Sequence, residues 1–453
     1  MRDTMPRMEK TASQRFLLTT FGCQMNLADG QRIRGILQRL GYEETDDAEE
    51  AHLILFNTCC VREHAEERLF SRVQGLKQQK LRNPALLIGV AGCLAQQHRK
   101  KLFEQLPMID FTFGPNDIEE LPAILADARS EPGKRRAGSF AEVGHFAGEQ
   151  ADGIILDRPF TAFVNIIRGC TNFCTYCIVP SVRGPEVSRS LPELMELITN
   201  LVERGVTEVT LLGQNVNAWG RDIGLADGFP KLLESLEEIP GLRRVRFLTS
   251  HPRDFSPTTI ERISRLSKVC ESFHLPVQAG ANRILSLMNR GYTRERYLEL
   301  LDTVRQFIPN VSLTTDIICG FPSESDEEFE ETLDLVRRAR FDTAYMYYYS
   351  PRAGTRALDL PGQIPENVRK ERLARLIEVQ NGISHEISAG LPGKTFEVLV
   401  ESVSSHGEGH VVGKTRSGRT IDFAGPATLI GGYVPVIVER ARLWTLSGKQ
   451  ASV

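Results

Sequence analysis

The sequence predicts an α/β protein in three parts. The first is an N-terminal parallel βα domain of three to five strands. The second is a central, partial barrel of six βα units, and the third is a small C-terminal all-β barrel. Three observations carry this. Three apolar runs near the start each end in a cysteine and lead into a helical stretch. Strand and helix patterns then alternate six times from residue 159. From Lys394 onward, strand-like runs are cut only by glycine-rich turns.

The bulk numbers leave room for this. A chain of 453 residues predicts two or three domains. Hydrophobic residues at 41% and charged residues at 25% are an ordinary globular balance. A net charge of -3 neither requires nor excludes an anionic partner. No apolar run reaches the ~18 residues of a membrane span. The opening MRDTMPRMEK has no apolar core of a signal peptide. The expectation is a cytoplasmic protein with no membrane partner. There, nine cysteines read as ligands or core fillers rather than disulfides.

The first domain is expected over 14–130. RFLLTTFGC ends at Cys23, AHLILFNTC at Cys59 and ALLIGVAGC at Cys93. Each is a buried-strand pattern followed by a helix, so the sheet should be parallel. Parallel strand ends all point one way, and such sheets bind ligands at their carboxyl edge. Three cysteines spaced 36 and 34 residues apart should therefore meet at one edge. Residues 131–155 read as a linker, and GKRR within them as a solvated charge run ahead of a nucleic-acid contact.

The barrel is expected over 156–388. Its strands are FTAFVNII, EVTLLGQN, RVRFLTS, FHLPVQ, SLTTDIICG and TAYMYYYS. Two of its helices begin with capping boxes, Ser190 to Glu193 and Ser325 to Glu328. RGCTNFCTYCIVPSVRG follows the first strand and places Cys170, Cys174 and Cys177 within eight residues. Structural zinc takes four ligands, usually as two separated pairs. A compact trio suits an iron–sulfur cluster that keeps one iron open for a ligand. S-adenosylmethionine can chelate such an iron and yield a radical. Tyr176, just before the third cysteine, supports this reading. The all-β module is expected over 390–449, with seven cations against five acids, a weak pointer to RNA.

With TFGCQMN, FNTCCVRE, GVAGCLAQ, the three-cysteine loop, LLGQNVN, RFLTSHP, HLPVQAG and MNRGYTRERYL, the chain resembles the radical S-adenosylmethionine methylthiotransferases over roughly 15–449. It is most similar to the branch that modifies N6-dimethylallyladenosine in tRNA. The resemblance implies two 4Fe–4S clusters: an auxiliary one on Cys23, Cys59 and Cys93, and one that binds S-adenosylmethionine on Cys170, Cys174 and Cys177. It implies that the central part is a radical SAM barrel and the last part a TRAM-like, RNA-binding barrel. It also implies that carbon 2 of the adenine gains a methylthio group. One S-adenosylmethionine would methylate the auxiliary sulfur and a second would supply the 5′-deoxyadenosyl radical. The expected partners are a tRNA anticodon stem-loop and a flavodoxin- or ferredoxin-type electron donor, with the enzyme a monomer.

Alternatives within this chemistry are threonylcarbamoyl-adenosine in tRNA and a ribosomal-protein aspartate. An alternative of another class is a non-catalytic RNA-binding iron–sulfur scaffold. Two departures from the family pattern stand out: Cys60 where a serine is usual, and Gly30-Gln31 where Ser-Glu is usual. Strand alternation would send the Cys60 side chain away from Cys59, as a core hydrophobe. Cys270 and Cys319 also read as core.

Strand-end position makes Gln214, Asn215, Ser250, Gln278 and Asp316 candidates for cofactor contact, with Tyr176 and Arg183. Gly320 and Glu324 are weaker candidates. His251 reads as a satisfied structural group ahead of a ligand contact. Arg183 and Arg189 suit a carboxylate or phosphate. YMYYY, 345–349, reads as a core strand ahead of a base-stacking surface.

Overall fold

The computed structural model describes residues 14–451, except 61, 62, 132, 144, 145, 147–150, 406, 408 and 444, and describes 63–65 and 152 by backbone alone. The opening decapeptide and Val61 and Arg62 of FNTCCVRE lie outside the described residues. The chain forms two compact units. One holds the residues up to Asp157 together with Ser181–Pro185, and the other holds Arg158–Pro180 and the chain from Glu186 onward.

The first unit is a parallel sheet in the order β2-β1-β3-β4-β5-β6. Its strands are β1 (Gln14–Phe21), β2 (Tyr42–Glu44), β3 (Leu53–Thr58), β4 (Leu87–Gly92), β5 (Phe111–Phe113) and β6 (Arg136–Ala137). β3 and β4 are buried at every residue, which explains the apolar runs LILF and LIGVAG; Asn57 and Thr58, which end β3, are buried polar residues. Phe16, Ile33, Leu53, Leu55, Phe111 and Phe113 anchor the core. The register pairs Phe21 with Thr58, and Thr58 with Gly92. Three strand ends are therefore level, and each is followed within two residues by a cysteine.

The sheet has one strand more than expected. The sixth strand comes from 131–155, the segment read as a linker. Its residues Ser139, Phe140 and Ala141 are also pinned by Asp117, whose carboxylate accepts from all three. In GKRR, Lys134 and Arg136 pair with Glu131, and Arg135 lies over Phe103.

In the second unit β7 (Thr161–Asn165), β10 (Glu208–Leu212) and β11 (Arg244–Phe247) form one parallel sheet. β12 (Ser272–His274), β13 (Ser312–Cys319) and β14 (Thr343–Tyr348) form another. A parallel bridge between Val245 and Val269 links the first sheet to the chain leading into the second. Six parallel strands in sequence order make the partial barrel. The short strands β8 (Ile167–Arg168) and β9 (Val187–Ser188) pair antiparallel and clasp the base of the three-cysteine loop. Both capping boxes form as expected, at Ser190 and Ser325. Within YMYYY the expected core character fails for two tyrosines: Tyr345 is 52% exposed and Tyr347 43% exposed.

β15 (Thr395–Val403), β16 (His410–Thr415), β17 (Thr420–Ala424), β18 (Tyr433–Ala441) and β19 (Thr445–Gln450) close into a barrel. It sits on the amino edge of the larger barrel through buried arginines. Arg244, with no exposed surface, donates to the carbonyl oxygens of Lys414 and Glu397 and to the Glu397 carboxylate. Arg246 donates to the carbonyls of Thr415 and Arg416. Arg416 returns a bidentate pair to Glu271. Two cations of the small module, Arg416 and Arg419, are thus engaged with Glu271 and Asp342 rather than presented to a ligand.

Removing a buried cation strands its partners. Arg244→Ala is expected to weaken attachment of the C-terminal barrel by about 3 kcal/mol. Chemical denaturation should show the loss, with faster proteolysis near Gly390. An unchanged transition would contradict this role.

Candidate iron–sulfur and cofactor sites

Glycine lets the first set of thiols converge. Gly22 and Gly92 each precede a cysteine and adopt φ of +136° and +96°. A Cβ on Gly22 would meet Cys59 Cβ at 2.5 Å, and one on Gly92 would meet the Thr58 carbonyl at 2.5 Å. Cys23 then stands at the N-terminus of the helix Gln24–Arg39, and Cys93 opens the helix Cys93–His98. Asn26 fixes Cys23: its Oδ1 accepts from the Cys23 backbone N–H at 3.4 Å and from Sγ at 3.3 Å. Cys23 and Cys59 flank the point where the strand order reverses, the usual ligand position in such sheets.

The thiols interact. A hydrogen bond from Cys59 is the main cause that brings Cys23 down to about 6, with Arg183 adding to it against the cost of burial. Cys93 is also lowered, chiefly by a hydrogen bond from Cys60. The Cys60 side chain therefore turns toward the thiols, contrary to the alternation argument. β3 ends at Thr58, so strand geometry no longer governs residues 59 and 60. Cys60 itself is raised well above its ordinary value by that bond and by burial.

Arg183 belongs to this site, not to the barrel edge. Its Nε lies 3.3 Å from Cys93 Sγ and its Nη2 2.8 Å from Asp29 Oδ2. Burial pulls its pKa down, but Cys93 and Asp29 push it well above the ordinary value.

The second trio is held by MNRGY. The Asn289 amide donates to the carbonyls of Asn172 and Phe173 at 3.1 Å each. Thr175 donates through N–H to Met288 O and through Oγ1 to Leu287 O. Arg290 places Nη1 3.3 Å from Cys174 Sγ and 3.3 Å from the Tyr176 hydroxyl, and donates to Pro276 O at 2.7 Å. Burial pushes Cys170 up to about 11 and Cys177 up to about 12. The sequence reading missed Arg290 and Asn289, although both lie in a motif it singled out.

Both donor sets suit iron–sulfur clusters. All six cysteines are free thiols, and a buried arginine contacts one thiol of each trio, Cys93 and Cys174. Among the described residues no three His, Cys, Asp or Glu side chains are arranged to hold one metal ion. A four-iron cluster spreads its thiolates wider than a single ion does, so the two facts agree.

The barrel edge also fits a polar cofactor. Buried atoms without a hydrogen-bond partner occur on Asn165, Gln214, Ser250, His251 (Nε2) and Gln278 (Oε1), at the carboxyl ends of four strands. Buried polar groups are otherwise nearly always satisfied, so these point to a polar ligand. His251 accepts the Arg253 N–H at Nδ1 and is held to about 3 by burial and by Arg290, so it is neutral and keeps its proton on Nε2. Asn215 is instead spent inside the protein, donating to Asp254 and accepting from the His251 N–H. Asp316 faces His274 at 3.4 Å. Glu324 accepts from Gly320 N–H and Arg372 and acts as a brace, with burial raising it to about 7. Arg189 contributes its carbonyl to the Trp219 indole. Cys270 and Cys319 are buried in the core as expected.

The chain matches the radical SAM superfamily over 164–336, the uncharacterized protein family UPF0004 over 15–114 and the TRAM domain over 391–450. It is 46% identical over 446 residues to the tRNA-2-methylthio-N(6)-dimethylallyladenosine synthase of Moorella thermoacetica, covering 97% of this chain and 98% of that one. The chain belongs to the tRNA-2-methylthio-N(6)-dimethylallyladenosine synthase family. The synthase of the same name from Aquifex aeolicus is 40% identical, over 97% of this chain and 99% of its own. Among solved structures, the radical S-adenosylmethionine methyltransferase TsrM of Kitasatospora setae is similar in fold, with a TM-score of 0.53 and 12% identity over 74% of this chain and 75% of that one. As a radical SAM family member, the chain uses S-adenosylmethionine and 4Fe–4S clusters. No helix among the described residues is long and apolar enough to cross a membrane.

The thiol shifts set an order of reactivity, because the thiolate is the nucleophile. In metal-free protein at about pH 7, iodoacetamide is expected to label Cys23 far faster than Cys170 and Cys177. The Cys23 advantage should fade as pH falls below about 6. Equal labelling by peptide mass spectrometry would contradict the assignment.

Proposed function

We propose that this chain is a tRNA methylthiotransferase that replaces the carbon-2 hydrogen of N6-dimethylallyladenosine, next to the anticodon, with a methylthio group. The observation that supports it most is the pair of thiol trios, one in each unit and each touched by a buried arginine, in a chain nearly half identical to such synthases over its whole length. In this reading Cys23, Cys59 and Cys93 hold the auxiliary cluster, and Cys170, Cys174 and Cys177 hold the cluster that binds S-adenosylmethionine. When bound, the two clusters and S-adenosylmethionine supply the hydrogen-abstracting radical and the transferable sulfur, which no side-chain acid or base could replace on an unactivated C–H bond.

The chain's own residues prepare these events. Arg183 and Arg290 offset the negative charge of thiolates in buried sites. Asn26 and Asn289 hold the thiol-bearing turns in place. Gln214, Ser250, His251 and Gln278 offer polar atoms to S-adenosylmethionine, with His251 donating from Nε2. Tyr176 closes the loop over Arg290. The adenine must leave its stack to reach this site, which an anticodon loop permits. The domains in this reading are 14–130, 156–388 and 390–449. A flavodoxin- or ferredoxin-type protein supplies electrons, and the enzyme works as a cytoplasmic monomer.

The test is nucleoside mass spectrometry after anaerobic reconstitution, with reductant and S-adenosylmethionine. Three tRNA substrates are compared: with dimethylallyladenosine, unmodified, and with threonylcarbamoyl-adenosine. The expected result is a methylthio product from the first alone. Product from the third, or 5′-deoxyadenosine with no product from any tRNA, would overturn the substrate assignment.

A further inference from the structure

Arg290 is 4% exposed, and every nitrogen of its guanidinium has a partner. Nε donates to the Tyr292 hydroxyl at 3.0 Å and Nη2 to the Pro276 carbonyl at 2.7 Å. Nη1 lies 3.3 Å from Cys174 Sγ and 3.3 Å from the Tyr176 hydroxyl. None of these partners is a carboxylate. Glu186, the acid bonded to the three-cysteine loop, accepts from the Thr171 N–H instead.

Other buried arginines of this chain do meet an acid. Arg183 pairs with Asp29, Arg244 with Glu397 and Arg372 with Glu324. A buried cation is costly without an anion to face it. Arg290 faces a ligand sulfur, so its charge is directed at whatever charge the thiols come to carry.

The guanidinium is also firmly held. The Tyr292 hydroxyl that accepts from it lies 2.9 Å from the Val277 carbonyl. The Tyr292 ring stacks on Tyr297 at 6.1 Å, and Tyr297 donates to the Leu275 carbonyl at 2.7 Å. Arg290 is thus tied directly and through two tyrosines to Leu275–Val277, the backbone that follows β12. A cation fixed in this way cannot swing aside when the charge beside it changes.

Charge beside it changes when an iron–sulfur cluster is reduced. One electron passes from a donor to the cluster, the donor is oxidised by one electron, and no bond breaks. The reduced form carries one more negative charge in a buried setting. A fixed positive charge, and an N–H directed at a ligand sulfur, stabilise that form over the oxidised one.

We propose that Arg290 is a positioning residue that acts through Cys174 to raise the reduction potential of the cluster on Cys170, Cys174 and Cys177, so that a flavodoxin- or ferredoxin-type donor can reduce it. This rests on the function proposed above and adds the residue that governs electron entry.

The test uses the full-length chain with Cys23, Cys59 and Cys93 replaced by alanine, which leaves one cluster. Its midpoint is measured by potentiometric titration followed by electron paramagnetic resonance, without S-adenosylmethionine. Adding Arg290→Gln is expected to make reduction about tenfold less favourable, a fall of about 59 mV for one electron. Arg290→Lys, which keeps a cation, should recover more than half of that fall. An unchanged midpoint in Arg290→Gln would overturn the proposal. So would an equal fall in Arg290→Lys, because charge would then not be the cause. Iron content monitors folding. If Arg290→Gln loads no iron, Tyr292→Phe, which releases the guanidinium but keeps the ring, is read in its place. A smaller fall in the same direction is then expected, and no fall would overturn the proposal. A parent chain that holds no iron, or zinc in its place, would overturn the two-cluster reading itself.

Discussion

Grouping thiolates where water is scarce is electrostatically costly, and in each unit of this protein a buried arginine lies against a thiol and favours its charged form. Arg183 sits 3.3 Å from Cys93 and Arg290 sits 3.3 Å from Cys174. Neither cation is incidental. A buried guanidinium needs partners of its own: Arg183 also pairs with Asp29, and Arg290 also donates to the Pro276 carbonyl. The surrounding structure follows from this pairing. Level strand ends bring the first trio together, and the MNRGY turn folds back to bring Arg290 onto the second.

The two trios differ in how the fold prepares them. In the first unit, thiol-to-thiol hydrogen bonds and Arg183 already favour ionisation of Cys23 and Cys93. In the barrel loop, burial keeps Cys170 and Cys177 protonated until something draws off the proton. Ligation there must release protons, whereas Cys23 is largely ready. The fold thus provides two chemically distinct settings for one type of ligand set.

Much of this was legible in the sequence. The βα periodicity places Cys23, Cys59 and Cys93 at one edge, because parallel strands leave no other arrangement. The tight loop from Cys170 to Cys177 keeps three thiols together whatever the barrel does. What escaped depended on tertiary contact. Arg183 follows the barrel cysteines in sequence yet reaches Cys93, 90 residues earlier. Cys60 turns inward because its strand has already ended. Asn215 has the position of a ligand contact but is used up by Asp254 and the His251 N–H. Tyr345 and Tyr347 look like core because a strand pattern cannot tell a covered face from an exposed one.

The central claim is that two separate trios hold two separate clusters. The most direct test is iron content with Mössbauer spectroscopy on two triple variants, one with Cys23, Cys59 and Cys93 replaced by alanine and one with Cys170, Cys174 and Cys177 replaced. Each should retain about four irons with the spectrum of one cluster, and the two spectra should add up to that of the wild type. Loss of all iron from either variant, or zinc in its place, would contradict the account.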